Sequence, residues 1–535
     1  MTGLVNNFRI RNAQDFVDFV QSADSSMYVF LGRTSEWPDE EIPPDVINTD
    51  SEIYQIWRDM NGIARVTAPD ITIGLREIIW ESGKIYDQYA DDVDLIGKDF
   101  YVLTDQFNVY KCISNNNNNP STQRPTHVTF DIPLQTDGYK WKYMFSVTSS
   151  LLRKFIVPNF FPLNPSESVE ANAIEGTVDT LRIDNAGNNY PVDRTVNAGN
   201  AIPVFIEGDG VQNQSALVSI STSPSGEIIS PDLSDSIIDP GENYPNAPEQ
   251  NIPVALRQFT TQGINQTAYG IASTNPNGEI VSVQVIINGT GYNPSLDTHV
   301  VQSSCRAFAE TDANGQIINA DVPTGRAGSG FTRAVSVVIV PPGTGTGAEL
   351  KPIIAPLGGH GSDPSKELLG NFVLLNLRIS GEDNFLGESN FRRVGLIENP
   401  TEFGVLDSAG ESVLFTDLVG DTKYRLKLTS GDNSAFEGIN EIIGESSGTR
   451  GVEVTTFGTD ELRVTIDNQY RGDGEFIEGE NIVSIGTEPI TDAIDTITEP
   501  DVETNSGDIL FINNRELVET DNPQQIETIT LVLEY

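Results

Sequence analysis

Four related signatures between Gly176 and Gly347 constrain the fold more than any other feature of the chain. They read Ile183-Asp-Asn-Ala-Gly-Asn-Asn-Tyr190-Pro, Ile237-Ile-Asp-Pro-Gly-Glu-Asn-Tyr244-Pro, Val285-Ile-Ile-Asn-Gly-Thr-Gly-Tyr292-Asn-Pro and, more weakly, Val322-Pro-Thr-Gly-Arg-Ala-Gly-Ser-Gly-Phe331-Thr. Short apolar runs behind an upstream glycine precede three of them: Gly226-Glu-Ile-Ile, Gly278-Glu-Ile-Val-Ser-Val and Gly315-Gln-Ile-Ile. Each unit thus reads as turn, strand, glycine-rich turn, aromatic. The aromatics lie 54, 48 and 39 residues apart (190 to 244, 244 to 292, 292 to 331). That drift excludes a strict solenoid period but still marks small β units built to one pattern. Tyr190, Tyr244 and Tyr292 are expected to anchor small cores beneath the glycine turns.

The chain on either side has a different texture. To the left, apolar residues at 16, 17, 19 and 20 and again at 53, 54, 56, 57 and 60 predict two short helices, the second capped by Asp50 or Ser51. Met27–Leu31, Ile63–Thr67, Asp99–Thr104 and Asn108–Ile113 read as strands. The run Asn115-Asn-Asn-Asn-Asn-Pro reads as a polar loop outside any core. Strict alternation puts Tyr139, Trp141, Tyr143 and Phe145 on one face of a strand, as the inner face of a sandwich or as a sugar platform. To the right, Phe372–Ile379, Phe391–Pro400 and the closing run with Ile529, Leu531, Leu533 and Tyr535 read as strands. Residues 411–499 read as a small separate β module, barrel-like in its close-set strands and turns.

With 47 glycines and 30 prolines in 535 residues, these patterns predict a mainly β, multidomain chain. Its expected core is a discontinuous β-sandwich of residues 1–165, 366–410 and 500–535 with a few short helices. The array at 166–365 and the module at 411–499 are then insertions.

Function classes narrow by exclusion. A net charge of −45, from 32 basic and 77 acidic residues, repels nucleic acid and anionic membrane. Two cysteines far apart, Cys112 and Cys305, form no disulfide framework, and three histidines in unrelated places offer no zinc site. No apolar run is long enough to span a membrane and the N-terminus lacks a signal-peptide core, so a soluble product made in a cytoplasm and not exported by a signal-dependent route is expected. Gly359-His360-Gly-Ser-Asp363-Pro crowds a histidine, a serine and an aspartate onto one turn. A catalytic relay needs such groups brought together by the fold, and a tight turn with an aspartate cap is the simpler reading. Asp467-Asn-Gln-Tyr-Arg-Gly-Asp-Gly-Glu lacks the ligand spacing of a calcium loop, and Gly343-Thr-Gly-Thr-Gly lacks the lysine of a phosphate loop. No enzyme, cofactor or metal is expected.

Five short segments carry a resemblance. Phe30-Leu-Gly-Arg33-Thr-Ser-Glu-Trp37, Gly138-Tyr-Lys-Trp141-Lys-Tyr-Met-Phe145 with Ile156-Val-Pro158, Phe391-Arg-Arg-Val-Gly-Leu-Ile-Glu-Asn-Pro400, Ser506-Gly-Asp-Ile-Leu-Phe-Ile-Asn-Asn-Arg515 and the closing Ile526–Tyr535 resemble, in order, segments of the baseplate wedge subunit of T-even-like contractile-tailed phages. Neither the array nor the 411–499 module has a counterpart there. The resemblance implies a non-enzymatic virion protein of the tail baseplate, assembled in the host cytoplasm. It also implies a homodimer within each wedge that binds other wedge proteins leading toward the tail fibres. Trp37 and Trp80 are the expected partner-contact residues. The alternative is a glycan-binding tail or surface adhesin, with Trp37, Trp80 and Trp141 as platform candidates.

Overall fold

A computed structural model describes residues 5–22, 25–209, 211–212, 216–242, 244, 251–259, 266–380, 390–466, 474–486, 489–519 and 526–535. Most of the acidic run at 467–475 lies outside them. The protein is mainly β, with 42% of residues in strands and 10% in helices. Its contacts divide it into two units, residues 1–74 with 371–535, and residues 75–370. The contact boundary therefore falls at 74, not at the expected 165. Residues 75–165 group with the array because Lys140 is buried against Asp179, Asp321 and Val322 and Tyr89 packs on Ile353.

The first unit is a discontinuous β-sandwich with a barrel inserted. One sheet runs in the order Val419–Asp421, Met60–Arg65, Met27–Gly32, Phe391–Glu398, Asp508–Val518. The run Met27–Gly32 is buried along its whole length because strands flank it on both sides and Ile56 and Trp57 share its core. Those two side chains belong to the helix Asp50–Asp59. Its cap is Thr49, whose Oγ1 accepts from the Glu52 N–H at 3.3 Å, one residue before the expected caps. In the second sheet Phe372–Ser380 lies between Ile526–Glu534 and Ile71–Arg76. Its nine-residue register with the C-terminal strand explains the alternation there: Ile529 and Leu531 are buried. The helix Asn6–Gln21 buries a single stripe, Ile10, Ala13, Val17 and Val20. Between residues 424 and 498, six strands close into a barrel around Leu426, Leu462, Val464, Ile482 and Ile494. Closure removes the exposed edges that so small a sheet would otherwise present.

In the second unit, Tyr101–Leu103, Asn108–Asn115 and Tyr139–Ser146 form one antiparallel sheet. Two further sheets make up the array, and they are nested. Strands from 178–208 and 307–354 form a six-stranded sheet, while strands from 211–303 form the other. The second module is inserted into the first.

Each module is held by a reciprocal exchange. The Tyr292 N–H donates to Gly226 O at 2.9 Å and the Tyr244 N–H to Gly278 O at 3.1 Å. In the outer module the Phe331 N–H donates to Gly176 O at 3.1 Å and the Tyr190 N–H to Gly315 O at 3.0 Å. The glycine turn that opens one half of a module thus closes on the aromatic of the other half. This accounts for the irregular spacing. Tyr190 belongs with Phe331, and Tyr244 with Tyr292, so the sequence order of the four signatures runs through two different modules.

The tyrosines are buried, and their hydroxyls are used. Tyr244 Oη accepts from the Ala216 N–H at 3.2 Å and donates to Val300 O at 2.9 Å; Tyr292 Oη accepts from the Ala268 N–H at 2.8 Å and donates to Leu256 O. Tyr190 Oη accepts from the Ala348 N–H at 3.3 Å. A buried tyrosine whose hydroxyl completes a backbone donor fixes the register of the strand it reaches.

Nesting makes a direct prediction. Val211 and Ser303 are paired residues on neighbouring antiparallel strands, so the ends of the inner module lie about 5 Å apart. Protein with residues 210–304 replaced by a three-glycine link should keep the outer module folded, exposing the patch around Phe205 and Ile339 that packs on Ala255 and freeing Glu207 from Arg257. Hydrogen exchange is the check: protection retained at Ile202–Gly208 is expected, and its loss would contradict the nested arrangement.

Candidate functional site

The two expected contact residues sit in different surroundings. Trp37 is only 7% exposed, and its face is covered by the Arg33 guanidinium at 3.8 Å from the ring centre. Its Nε1–H donates to Arg515 O at 2.9 Å. Trp37 is therefore a packing residue that ties the segment after Met27–Gly32 to the strand Asp508–Val518, and it leaves almost no surface for a partner. Trp80, in the other unit, is half-buried, with Nε1–H donating to Ser121 Oγ at 3.2 Å. Of the platform candidates, Trp141 is wholly buried and stacks on Tyr139 at 5.5 Å, so the aromatic stripe is core.

What Trp37 anchors is the exposed feature. The segment from 38 to 49 is pinned as a strap. Arg392 Nε donates to both Glu40 oxygens at 2.8 and 2.9 Å, Glu40 accepts from the Trp37 N–H at 2.7 Å, and Asn514 Nδ2 donates to Pro44 O at 2.9 Å. Ile42, between the ties at Glu40 and Pro44, is 72% exposed; Ile47, between Pro44 and the Thr49 cap, is 61% exposed, and Tyr54 on the following helix is 59% exposed. Seven carboxylates and no cation lie between residues 36 and 54.

Behind the strap, Arg393 is buried with Nη2 2.7 Å from Glu52 Oε1 and Nη1 3.4 Å from the buried Asp59. Burial raises Asp59, an effect that Gln55, Arg393 and Arg33 oppose.

A dense group of ionisable side chains lies in the sheet of residues 101–146, on the face opposite the aromatics. The alternation that marked Tyr139, Trp141 and Phe145 also buries Lys140 and Lys142. Lys111 lies directly across from Lys142 on the adjacent strand. Lys140 Nζ donates to Val322 O at 2.6 Å and Asp179 O at 3.0 Å and pairs with Asp321 at 2.5 Å. Lys111 Nζ donates to Glu367 Oε2 at 2.7 Å, meets His360 Nδ1 at 3.1 Å, and lies 4.0 Å from the Tyr89 ring centre. Burial draws Lys111 down, and the Glu367 carboxylate opposes this. Burial alone would raise Glu367, yet the Lys111 charge and the His360 contact outweigh it and bring it down to about 2. Glu367 Oε1 also accepts from the Gly361 N–H at 2.7 Å, so this ion pair holds the Gly359–Asp363 turn in place.

That turn does not assemble a relay. Burial lowers His360, favouring the neutral ring. Ser362 Oγ donates to Gly359 O at 2.8 Å, and Asp363 accepts from the Lys366 N–H at 3.0 Å as a helix cap. The three side chains bond in three directions. Burial pushes both the Cys112 and Cys305 thiols up, and each is enclosed. Among the described residues no group of three or more histidine, cysteine, aspartate or glutamate side chains is placed to hold a metal ion, and no helix is long and apolar enough to cross a membrane.

No family model and no curated protein matches the chain.

Proposed function

We propose that the chain is a structural subunit of a contractile-tail baseplate wedge, acting as a homodimer that scaffolds neighbouring wedge proteins toward the tail fibres. One observation carries this reading. Three of the segments that resemble the wedge subunit, around Phe30, Phe391–Pro400 and Ser506–Arg515, are separated in sequence by 353 and 105 residues (38 to 390 and 401 to 505). They lie side by side in one sheet, where Met27–Gly32 pairs with Phe391–Glu398 and that strand with Asp508–Val518. Three segments far apart in sequence thus meet in one sheet, which supports a common framework, whereas Gly138–Phe145 lies in the second unit with the array.

The strap gives this framework a contact surface. Ile42 protrudes between the ties at Glu40 and Pro44, and Ile47 between Pro44 and the Thr49 helix cap, so docking would cost little ordering entropy. Its carboxylates suit a neighbour carrying basic residues. Replacing both isoleucines with serine should leave unfolding within about 0.5 kcal/mol of wild type, as for exposed positions. The same variant should lose its place among co-expressed tail proteins of the same phage, read by copurification. Normal copurification would remove the strap from the account. Light scattering tests the dimer: twice the chain mass of 58.3 kDa is expected, and a single chain mass at all concentrations would count against it.

A further inference from the structure

We infer that the second unit carries a binding cleft for a neutral, hydroxyl-rich ligand of sugar-ring size, built by the asparagine run. The cleft measures about 440 Å³, within the range of small-molecule sites. Gln88, Asn117 and Asn118 supply its polar wall, and Ile183, Ile317 and Ile318 its apolar wall.

The asparagine run is not a slack loop. Asn116, Asn117 and Asn118 all have left-handed backbone, with φ of 50°, 55° and 61°. Three such residues in succession without glycine are uncommon, and asparagine is the side chain that best tolerates the conformation. The amides hold the turn in place. Asn115 Nδ2 donates to Tyr86 O at 3.0 Å, Asn116 Nδ2 to Asp137 O at 3.0 Å and Asn117 Nδ2 to Ile318 O at 3.1 Å. Strained backbone held by several independent ties is characteristic of sites that position ligands.

Two observations define the ligand. Gln88 Oε1 accepts from the Asn115 N–H at 3.4 Å, which orients the amide and leaves its Nε2 buried without a partner. A buried donor of this kind favours an acceptor oxygen. Among the described residues lining the cleft the one cation is Arg182, and it is already engaged by Asp92 at 2.8 and 3.0 Å and by Asp184 at 2.6 and 3.2 Å. Two carboxylates against one guanidinium give no pull on an anion. Amides offer donors and acceptors together, as vicinal hydroxyls require, and the isoleucine side chains suit the C–H face of a pyranose ring. The site is independent of the strap and of the framework strands, so it stands or falls apart from the wedge reading.

The test uses the full chain and saturation-transfer NMR with glucose, galactose and N-acetylglucosamine, with glucuronate as the anionic counterpart and glycerol as the non-cyclic polyol. Saturation transfer to at least one neutral sugar, weaker for glucuronate and glycerol, is expected. Ile318→Trp, at a rim position 52% exposed, should block the cleft without disturbing the core and abolish the signal. Gln88→Leu should weaken binding about tenfold. An immobilised glycan panel then separates a polymer-bound sugar from a free one, and either supports the cleft. The proposal is overturned by no transfer to any neutral sugar, by equal transfer to glycerol, or by binding unchanged in Ile318→Trp.

Discussion

Lys111→Met should be among the most destabilising single substitutions in the chain, costing about 3–5 kcal/mol. Lys111 and Glu367 are both almost fully buried and 2.7 Å apart. Methionine matches the lysine stem but removes the charge that holds the Glu367 carboxylate ionised. That carboxylate keeps its Gly361 N–H but loses its cation, and His360 is held neutral by burial. Pairing Lys111→Met with Glu367→Gln should recover much of the loss, because two neutral groups replace an unpaired charge. Thermal unfolding of the two singles and the double measures the coupling. A double mutant no better than the sum of the singles would contradict the pairing.

The same pair fixes a pH dependence. Glu367 falls from its ordinary 4.5 to about 2 on folding, so the folded state holds its proton less tightly than the unfolded chain. Its contribution is fully present above 4.5 and is lost as pH drops toward 2. A shift of this size corresponds to a free energy on the order of 3 kcal/mol. In Lys111→Met this part of the acid dependence should shrink, since the charge that lowers Glu367 is gone.

The second large effect lies in the array. Gly289 has φ of 63°, and a Cβ there would stand 2.6 Å from Ala268 N, 2.7 Å from Gln266 O and 2.8 Å from the Tyr292 ring. Two of those atoms are backbone and cannot swing aside. Gly289→Ala therefore combines a left-handed alanine with a displaced strand and should cost about 2–4 kcal/mol. Gly325 is the control, since it also has positive φ, of 76°, but nothing lies within 4 Å of its Cβ position. Gly325→Ala should cost only the backbone preference, about 1 kcal/mol. Equal losses in the two variants would show that close packing under the tyrosine is not what the glycine serves. Gly187 and Gly241 make the same approach to Tyr190 and Tyr244 and predict the same outcome.

These cases mark what the sequence makes legible. The alternation of Tyr139, Trp141 and Phe145 announces a strand, and those residues are core. It does not announce that Lys140 and Lys142, between them, are also buried, because the carboxylates and carbonyls that satisfy them come from residues 130 to 322. The glycine–tyrosine signatures are plain, yet their pairing is not: a reciprocal exchange leaves the same pattern in sequence whichever copies exchange. Trp37 reads as a contact residue because it ends a distinctive segment. Its burial depends on Arg33 beside it and on Arg515, far along the chain. The exposed residues that follow it, Ile42 and Ile47, give a weaker signal, since proline-flanked acidic loops are common and only the ties to Arg392 and Asn514 make this one a fixed strap. The asparagine run is legible as a loop; that it is held left-handed against a cleft depends on Tyr86, Asp137 and Ile318.

The most direct test of the scaffold account is cryo-electron microscopy of intact phage particles that contain this chain. The account predicts density for it in the baseplate, repeated around the sixfold tail axis as pairs within each wedge, with the strap of residues 38–49 against a neighbouring subunit. Density confined to a fibre tip or the particle surface, or particles whose baseplate lacks the chain, would contradict it.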